Sequence, residues 1–356
     1  MARVLLLAPL LMALATGSKG LFMSAASANA SDSALQAYLR SAALACHSSP
    51  WNLSSSPQHI NSVAIQAVGD HDGIIYASAL DHMIPALSCV SRIYVGTTIP
   101  RSNDFYCADV LNGTFVAAAV NASARAARAF IARYGDVLPP SFAWYIAPEQ
   151  FLNHLAEGCA PKPQSGQQRP PPHISAAALA TAWGAFLHAW TESLATVRPG
   201  TRFLWSPAAP ESVRMGSGNG GSAVYASALR DSLRTIAAAA PRITDIAIQD
   251  SVGKASNASV PGHISYPVGC ADAAWHANIS KSAFAAAPAR NVSTTVNMEL
   301  FLRKGHRLPP SAIVDLPGEP YELRRREVCY EEQGLAVGPS WEARYWLQGL
   351  TEEWRQ

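Results

Sequence analysis

Two glutamates each follow an apolar run of the kind that forms a β-strand, and they are the residues best suited to chemistry. Glu149 lies just beyond the run 142–146, and Glu299 ends the run 293–299. A proline has no backbone N–H to donate to a sheet, so Pro148 marks the end of the first strand. Two carboxyl groups astride a glycosidic bond can cleave it. One protonates the leaving oxygen, and the other attacks the sugar or activates water.

Two further apolar runs also end in polar groups or in a proline. The run 202–206 is stopped by Pro207, and the run 243–249 ends in Gln249, with Asp250 next. In a barrel of parallel strands the active site forms at the carboxyl ends of the strands. We therefore expect the groups that follow these four runs to meet at one mouth of a barrel.

Each acidic residue also has another interpretation. Glu149 could be an acid at a helix N-terminus, where the helix dipole favours negative charge. Glu299 could pair with a nearby arginine such as Arg303. Asp250 is a spare acid, and we interpret it as a group that binds a hydroxyl or orients a neighbour rather than as the nucleophile.

Aromatic and amide side chains near the strand ends, together with one acidic side chain, are candidates for binding a carbohydrate. An aromatic ring matches the C–H face of a pyranose, and a few placed polar groups fix a ligand's orientation. The candidates are Trp144, Tyr145, Trp205, Gln249, Asp250, Asn297 and Gln66. Aromatic residues on barrel strands are also common in the core, and Asn297 and Gln66 could instead be inward-pointing barrel residues. Asn297 precedes Glu299 by two positions and should share its face of the strand.

Strand and helix signals alternate eight times along the chain, which predicts an α/β fold with a single (β/α)8 barrel over residues 18–356. The predicted strands are 21–24, 62–68, 92–96, 142–146, 202–206, 243–249, 293–299 and 334–338. The predicted helices are one that ends near 46, then 77–90, 114–134, 175–197, 222–239, 271–287, 319–332 and 341–353. The alternative is an open doubly wound sheet. No Gly-rich phosphate turn follows any strand, which argues against its nucleotide-binding form.

The Pro-rich segment 160–172 interrupts this alternation. Its composition would also suit an interdomain linker. We predict a surface loop, because strand and helix signals continue in the same rhythm on both sides of it.

Four sequence blocks resemble those of a poorly characterised family of secreted barrels related to glycoside hydrolases. The blocks are 144–149, 204–207, 245–253 and 296–301, and the resemblance covers about residues 140–301. Their layout is similar to that of the clan of retaining glycosidases with a glutamate after strand four and another after strand seven. The resemblance implies that Glu149 is the acid/base and Glu299 the nucleophile. That clan places an asparagine directly before the first glutamate, where this chain has Pro148.

The N-terminus has the pattern of a signal peptide over residues 1–17. Arg3 precedes an apolar stretch, and small residues follow it at 15–17. A retained signal anchor is the alternative. No later segment is apolar enough to span a bilayer, so we expect a secreted protein with no membrane contact after the signal is removed.

Cysteine and sequon counts favour the secretory pathway. The six cysteines are Cys46, Cys89, Cys107, Cys159, Cys270 and Cys329, and none forms a C-x-x-C pair, so disulfides are expected rather than a zinc site. Fifteen pairings are possible. Barrel neighbourhood favours Cys46–Cys89 and Cys107–Cys159, which leaves Cys270–Cys329. Seven Asn-x-Ser/Thr sequons begin at Asn29, Asn52, Asn112, Asn121, Asn257, Asn278 and Asn291.

Composition excludes several function classes. The net charge is +2 and charged residues make up 15%, so no basic field favours nucleic acid.

The runs 70–72 and 81–82 contain Asp and His but lack the spacing of a known metal site, and we predict no metal and no cofactor. The glycines of 216–220 follow no strand, which argues against a serine-hydrolase turn.

The sequence therefore predicts a secreted glycoside hydrolase whose partner is a carbohydrate. The alternative is a non-catalytic carbohydrate-binding or structural protein that kept the barrel. The oligomeric state stays open.

Overall fold

The structure is a computed structural model of the chain. It describes residues 20–32, 35–36, 38–39, 42, 62–102, 104–161, 172–209, 221–249, 270–286, 292–297, 330, 332–337 and 339–342.

Within the described residues, nine short strands form a single parallel sheet. They are β1 Gly20–Met23, β2 Ser62–Ile65, β3 Arg92–Gly96, β4 Ala143–Ile146, β5 Arg202–Trp205, β6 Asp245–Gln249, β7 Ser293–Asn297, β8 Ala336–Val337 and β9 Pro339–Glu342. From β1 to β8 each strand pairs in parallel with the next one along the chain. This sequential order is that of an α/β barrel.

The last two strands close the barrel. β8 pairs with β7, and β9 pairs with β1. A single position, 338, separates β8 from β9. Together they occupy the eighth position between β7 and β1. The predicted (β/α)8 barrel is confirmed.

Seven α-helices have both of their ends among the described residues. They are α1 Ala25–Ala30, α2 Ala77–Ala86, α3 Gly113–Tyr134, α4 Leu152–Glu157, α5 Ala176–Val197, α6 Gly221–Ala239 and α7 Cys270–Ala285. The long helices are rich in alanine, which has the highest helix propensity. Side-chain caps start two of them. Asn112 Oδ1 accepts from the backbone N–H groups of Thr114 and Phe115, and Ser175 Oγ accepts from that of Ala178.

The two faces of the strands differ in composition. Successive residues of a strand point to opposite faces. The outer face carries large apolar residues such as Trp144, Ile146 and Trp205, which pack with the helices into one extended core. The inner face of the barrel carries a smaller apolar cluster of four alanines with Leu204, Tyr94 and Tyr145. The outer layer therefore holds most of the apolar burial, and the inner layer leaves room for polar groups.

Gly96 allows β2 and β3 to approach closely near the mouth. A Cβ atom at this position would lie 1.8 Å from the carbonyl oxygen of Gln66. Any other residue here would push the ends of the two strands apart.

The end of the chain differs from the sequence prediction. A helix was expected over 341–353, but Trp341 and Glu342 belong to β9. Pairing with β1, which lies far away in sequence, decides their conformation and overrides the local helix signal. The rest of this predicted helix, and most of the one at 319–332, lie outside the described residues.

The base of the Pro-rich segment is joined by hydrogen bonds. Cys159 and Ile174 exchange two backbone hydrogen bonds, of 3.0 and 2.9 Å. Residues 162–171 lie outside the described residues, so the predicted surface loop stays a prediction.

Candidate functional site

Glu149 lies at the carboxyl end of β4, at the mouth of the barrel. Ala147 and Pro148 before it and Gln150 after it are buried, whereas Glu149 itself is partly exposed. Its carboxylate interacts with the hydroxyl of Tyr145, four residues earlier and on the inner face. The strand thus brings Glu149 to the barrel interior.

Tyr145 is fully buried, and its hydroxyl also neighbours the side chain of Ser206. Burial raises the pKa of Tyr145 well above its usual value, and the negative charge of Glu149 raises it further. The phenol therefore keeps its proton and can donate it to the carboxylate.

Backbone pairing beyond the strands holds the segment around Glu149. Phe151 pairs with Ala208, and Ala208 pairs with Gln249. The Gln150 side chain donates from Nε2 to the carbonyl of Tyr106 at 3.2 Å. These bonds join the chain after β3, β4 and β5 to the end of β6, so the mouth is built on several connected segments.

Ser206 connects the strands on this side of the mouth. Its Oγ donates to the carbonyl of Ala247 at 2.7 Å and accepts from Asn297 Nδ2 at 2.9 Å. Its own carbonyl accepts from Gln249 Nε2 at 3.2 Å. Together with the neighbouring Tyr145 hydroxyl, this buried serine links β4, β5, β6 and β7.

Asn297 ends β7 in register with Gln249 of β6. It is 7% exposed, and its Oδ1 has no hydrogen-bond partner among the residues that the structure describes. A buried acceptor without a partner is unusual in a folded protein. The structure thus brings Glu149, Tyr145, Gln249 and Asn297 to the same end of the barrel.

Two predicted stacking residues lie elsewhere. Trp144 and Trp205 are fully buried on the outer face of the sheet, and the Trp205 ring lies 6.4 Å from that of Phe284 on α7. Neither ring is open to a ligand in the mouth. The expectation that they stack on a sugar is corrected: they are core residues.

The remaining candidates are placed in part. Gln66 directly follows β2 and is partly exposed. Glu299 and Asp250 lie outside the described residues. Their roles stay predictions.

The disulfide Cys107–Cys159 is present, with 5.9 Å between the Cα atoms, and confirms the predicted pair. It ties the segment after β3 to the chain just beyond α4. Cys89 is also disulfide-bonded, to a cysteine outside the described set. The side chains of Cys46, Cys270 and Cys329 lie outside that set, so Cys46–Cys89 and Cys270–Cys329 stay predictions.

Four of the predicted glycosylation sites lie on the surface, namely Asn29, Asn112, Asn121 and Asn278. Asn52, Asn257 and Asn291 lie outside the described residues. Among the helices that the structure describes, none has the length and apolar character that a membrane crossing requires.

The two runs of Asp and His have structural partners. Asp70 Oδ1 accepts from the backbone N–H groups of Asp72 and Ile74 and so closes a turn. Asp81 accepts hydrogen bonds from Arg133 and Tyr134 of α3.

Ser206 is the residue that sequence reasoning missed. It lies two positions after Leu204, so it shares the inner face with that residue. The alternation along 202–206 and the following Pro207 were sufficient to place it at a strand end. The residue type of Ser206 does not indicate a functional role, because serine is common in loops.

Comparison with known proteins shows the fold. No family model matches the chain, and no curated protein matches it in sequence. Among solved structures, a candidate alpha-L-fucosidase from Bacteroides thetaiotaomicron is 14% identical, with 100% of this chain and 98% of that chain covered and a TM-score of 0.53. An intracellular xylanase from Thermoanaerobacterium saccharolyticum, in complex with xylotriose, is 9% identical over 92% of this chain and 86% of its own, with a TM-score of 0.46. A β-mannanase from the blue mussel Mytilus edulis is 12% identical over 91% and 84%, with a TM-score of 0.39.

The first of these structures supports the barrel fold. At this identity it shows the fold alone, since one barrel architecture hosts many functions. The resemblance to glycoside-hydrolase barrels is confirmed at the level of fold.

Proposed function

We propose that this protein is a secreted glycoside hydrolase that cleaves O-glycosidic bonds with retention of configuration. Glu149 is the acid/base and Glu299 the nucleophile. The observation that carries the proposal is the position of Glu149 at the carboxyl end of β4, with its carboxylate against the buried hydroxyl of Tyr145. Catalytic residues of barrel enzymes lie at this end of the strands.

Tyr145 gives Glu149 a defined orientation. The phenol stays protonated, because burial and the charge of Glu149 both raise its pKa. A hydrogen bond from a rigid, buried donor restricts the carboxyl group to a narrow range of positions, as general acid–base catalysis needs.

The alternation along β7 supports the role of Glu299 in this proposal. Asn297 points to the barrel interior, where it bonds to Ser206. A residue two positions further along an extended chain shares that face. Glu299 would then lie at the mouth, three strands from Glu149, with the sugar between the two carboxyl groups.

Turnover of aryl glycosides tests the proposal. A panel should include an aryl α-L-fucoside, since the solved structure with a TM-score of 0.53 is a candidate alpha-L-fucosidase. We expect Glu149→Gln and Glu299→Ala each to lower kcat by about 10² to 10⁴-fold. Added azide should partly restore Glu299→Ala by replacing the lost nucleophile.

Glu157→Gln is the matched control, because Glu157 is an exposed glutamate at the end of α4. It should keep wild-type turnover. A wild-type protein that hydrolyses no member of the panel, or Glu149→Gln and Glu299→Ala variants that keep full activity, would rule out the hydrolase. Sugar binding without turnover would instead identify a carbohydrate-binding protein.

Secretion is part of the same proposal and predicts the mature N-terminus. Gly20–Met23 forms β1, which pairs with β2 on one side and β9 on the other. A cut beyond Gly20 would remove part of the barrel, so we expect cleavage between residues 17 and 20. N-terminal sequencing of the product from a eukaryotic host should show this start. Deglycosylation should increase its gel mobility. An intact Met1 with unchanged mobility would contradict secretion.

A further inference from the structure

The amide of Asn297 has a fixed orientation. The Ser206 hydroxyl has one proton and donates it to the carbonyl of Ala247 at 2.7 Å. Towards Asn297, therefore, Oγ can only accept. Asn297 Nδ2 donates that hydrogen bond, at 2.9 Å. If the amide were rotated by 180°, Oδ1 would face Ser206 Oγ, and neither oxygen would have a proton to donate. The Oδ1 atom consequently points away from Ser206.

This oxygen is buried at the carboxyl end of β7. Asn297 is the last residue of β7, and its neighbour Val296 packs on the outer face, so the amide belongs to the inner face at the mouth. The side chain is more than nine-tenths buried, and Oδ1 has no partner among the described residues. A buried acceptor left without a donor costs about 1–3 kcal/mol.

We propose that Ser206 and Asn297 form a hydroxyl-binding subsite, in which Asn297 Oδ1 accepts a hydrogen bond from one hydroxyl group of a bound carbohydrate. The choice of a carbohydrate rests on the proposed function. Ser206 is a positioning residue that holds the amide, and Gln249 holds Ser206 through its carbonyl. Asn297 Oδ1 is an acceptor at the same end of the barrel as the carboxylate of Glu149. This favours a neutral donor over an anion, which both groups would repel.

Monodeoxy substrates test the subsite. The probe is the aryl glycoside that the wild-type protein hydrolyses fastest, together with its monodeoxy analogues. Wild type should lose about 10- to 100-fold in kcat/KM on one analogue, the one that lacks the recognised hydroxyl. For Asn297→Ala, kcat/KM on the parent glycoside should fall by a similar factor. On that analogue, kcat/KM of Asn297→Ala should equal that of wild type. Ser206→Ala should give the same pattern with a smaller loss.

Thr295→Val is the matched control. Thr295 lies on the same face of β7, one residue pair below the mouth, and its hydroxyl donates to the carbonyl of Ile246 at 3.4 Å. This variant should keep wild-type selectivity among the analogues. The subsite is wrong if Asn297→Ala lowers kcat/KM by the same factor on the parent glycoside and on every analogue. It is also wrong if Thr295→Val changes the selectivity among the analogues as Asn297→Ala does. If Asn297→Ala does not fold, Ser206→Ala decides by the same pattern.

Calorimetry separates failure of the subsite from failure of the hydrolase. The probes are free L-fucose, D-xylose, D-mannose, D-glucose and D-galactose, titrated into wild type and Asn297→Ala. One outcome is that no aryl glycoside is hydrolysed, that one sugar binds, and that Asn297→Ala raises its Kd about tenfold. In that case the subsite is supported and the hydrolase proposal fails. If no sugar binds, or binding is unchanged in Asn297→Ala, the subsite is overturned.

Discussion

The two ends of the barrel interior differ in how fully their polar groups are paired. At the amino ends of the strands, Arg202 forms a bidentate ion pair with Asp245, and Thr244 donates to the same carboxylate. At the carboxyl ends, Ser206 and Asn297 form a similar network, but Asn297 Oδ1 has no partner among the described residues. The paired end is suited to stability, and the incompletely paired end is suited to binding.

Each end also contains one buried tyrosine. Tyr94 at the amino end accepts from Arg92 at 3.2 Å, and Tyr145 at the carboxyl end neighbours Glu149. The same residue type thus supports an arginine at one end and a candidate catalytic carboxylate at the other. Substitutions at the two ends should therefore change different properties.

The largest of the three effects expected from this contrast is a loss of stability at the amino end. The Asp245 side chain is 7% exposed and that of Arg202 is 49% exposed. Arg202→Ala leaves the buried carboxylate with a single hydroxyl donor and should lower the free energy of unfolding by about 2 kcal/mol, less than for a fully buried pair. Urea denaturation measures the loss. The kcat of the folded variant should stay at the wild-type level. A fall in kcat would contradict the assignment of stability to the amino end and of binding to the carboxyl end.

A smaller effect is expected on activity, at the carboxyl end. Tyr145→Phe removes the donor to Glu149 and should lower kcat about tenfold, with about 1 kcal/mol lost in stability. Tyr94→Phe, the matched variant, should cost similar stability and leave kcat within about twofold. Steady-state kinetics and urea denaturation on both variants measure these effects. Equal kcat losses in the two variants would contradict the assignment.

The smallest effect is a loss of stability in alkaline solution. Burial is the main cause of the raised pKa of Tyr145, and it also raises that of Tyr94. The unfolded chain releases these protons near pH 10, whereas the folded chain retains them. Their contribution is therefore fully present below pH 10 and is lost as the pH rises towards the folded pKa.

Urea denaturation between pH 9 and 11 measures this dependence. Tyr145→Phe should have the shallower decline, because one fewer proton separates the two states. Trp144→Phe, which changes a buried ring without a titrating group, should decline like wild type. Equal slopes for wild type and Tyr145→Phe would contradict the role of burial.

The positions of the strands could be predicted from sequence because local patterns decide them. Apolar runs closed by Pro148 and Pro207 gave the ends of β4 and β5 to within one residue. The pair Cys107–Cys159 followed from the neighbourhood of consecutive barrel loops. These features depend on the order of elements rather than on side-chain geometry.

The facing of side chains could not be predicted in the same way. Trp144 and Tyr145 are adjacent and both aromatic, yet one packs outward and the other inward. Alternation predicts that the two side chains lie on opposite faces of the strand, but not which one faces the barrel interior. The role of Ser206 depends on bonds to two other strands, and the strand at Trp341 depends on pairing with β1. Such long-range contacts have no local signature.

The central claim is that Glu149 and Glu299 form the catalytic pair of a retaining glycosidase. The most direct measurement is the distance between their carboxyl groups in a crystal structure of the protein. We predict about 5–5.5 Å, against about 6.5–9.5 Å for an inverting pair. A separation above about 10 Å, or a Glu299 side chain directed into the helical layer, would contradict the claim.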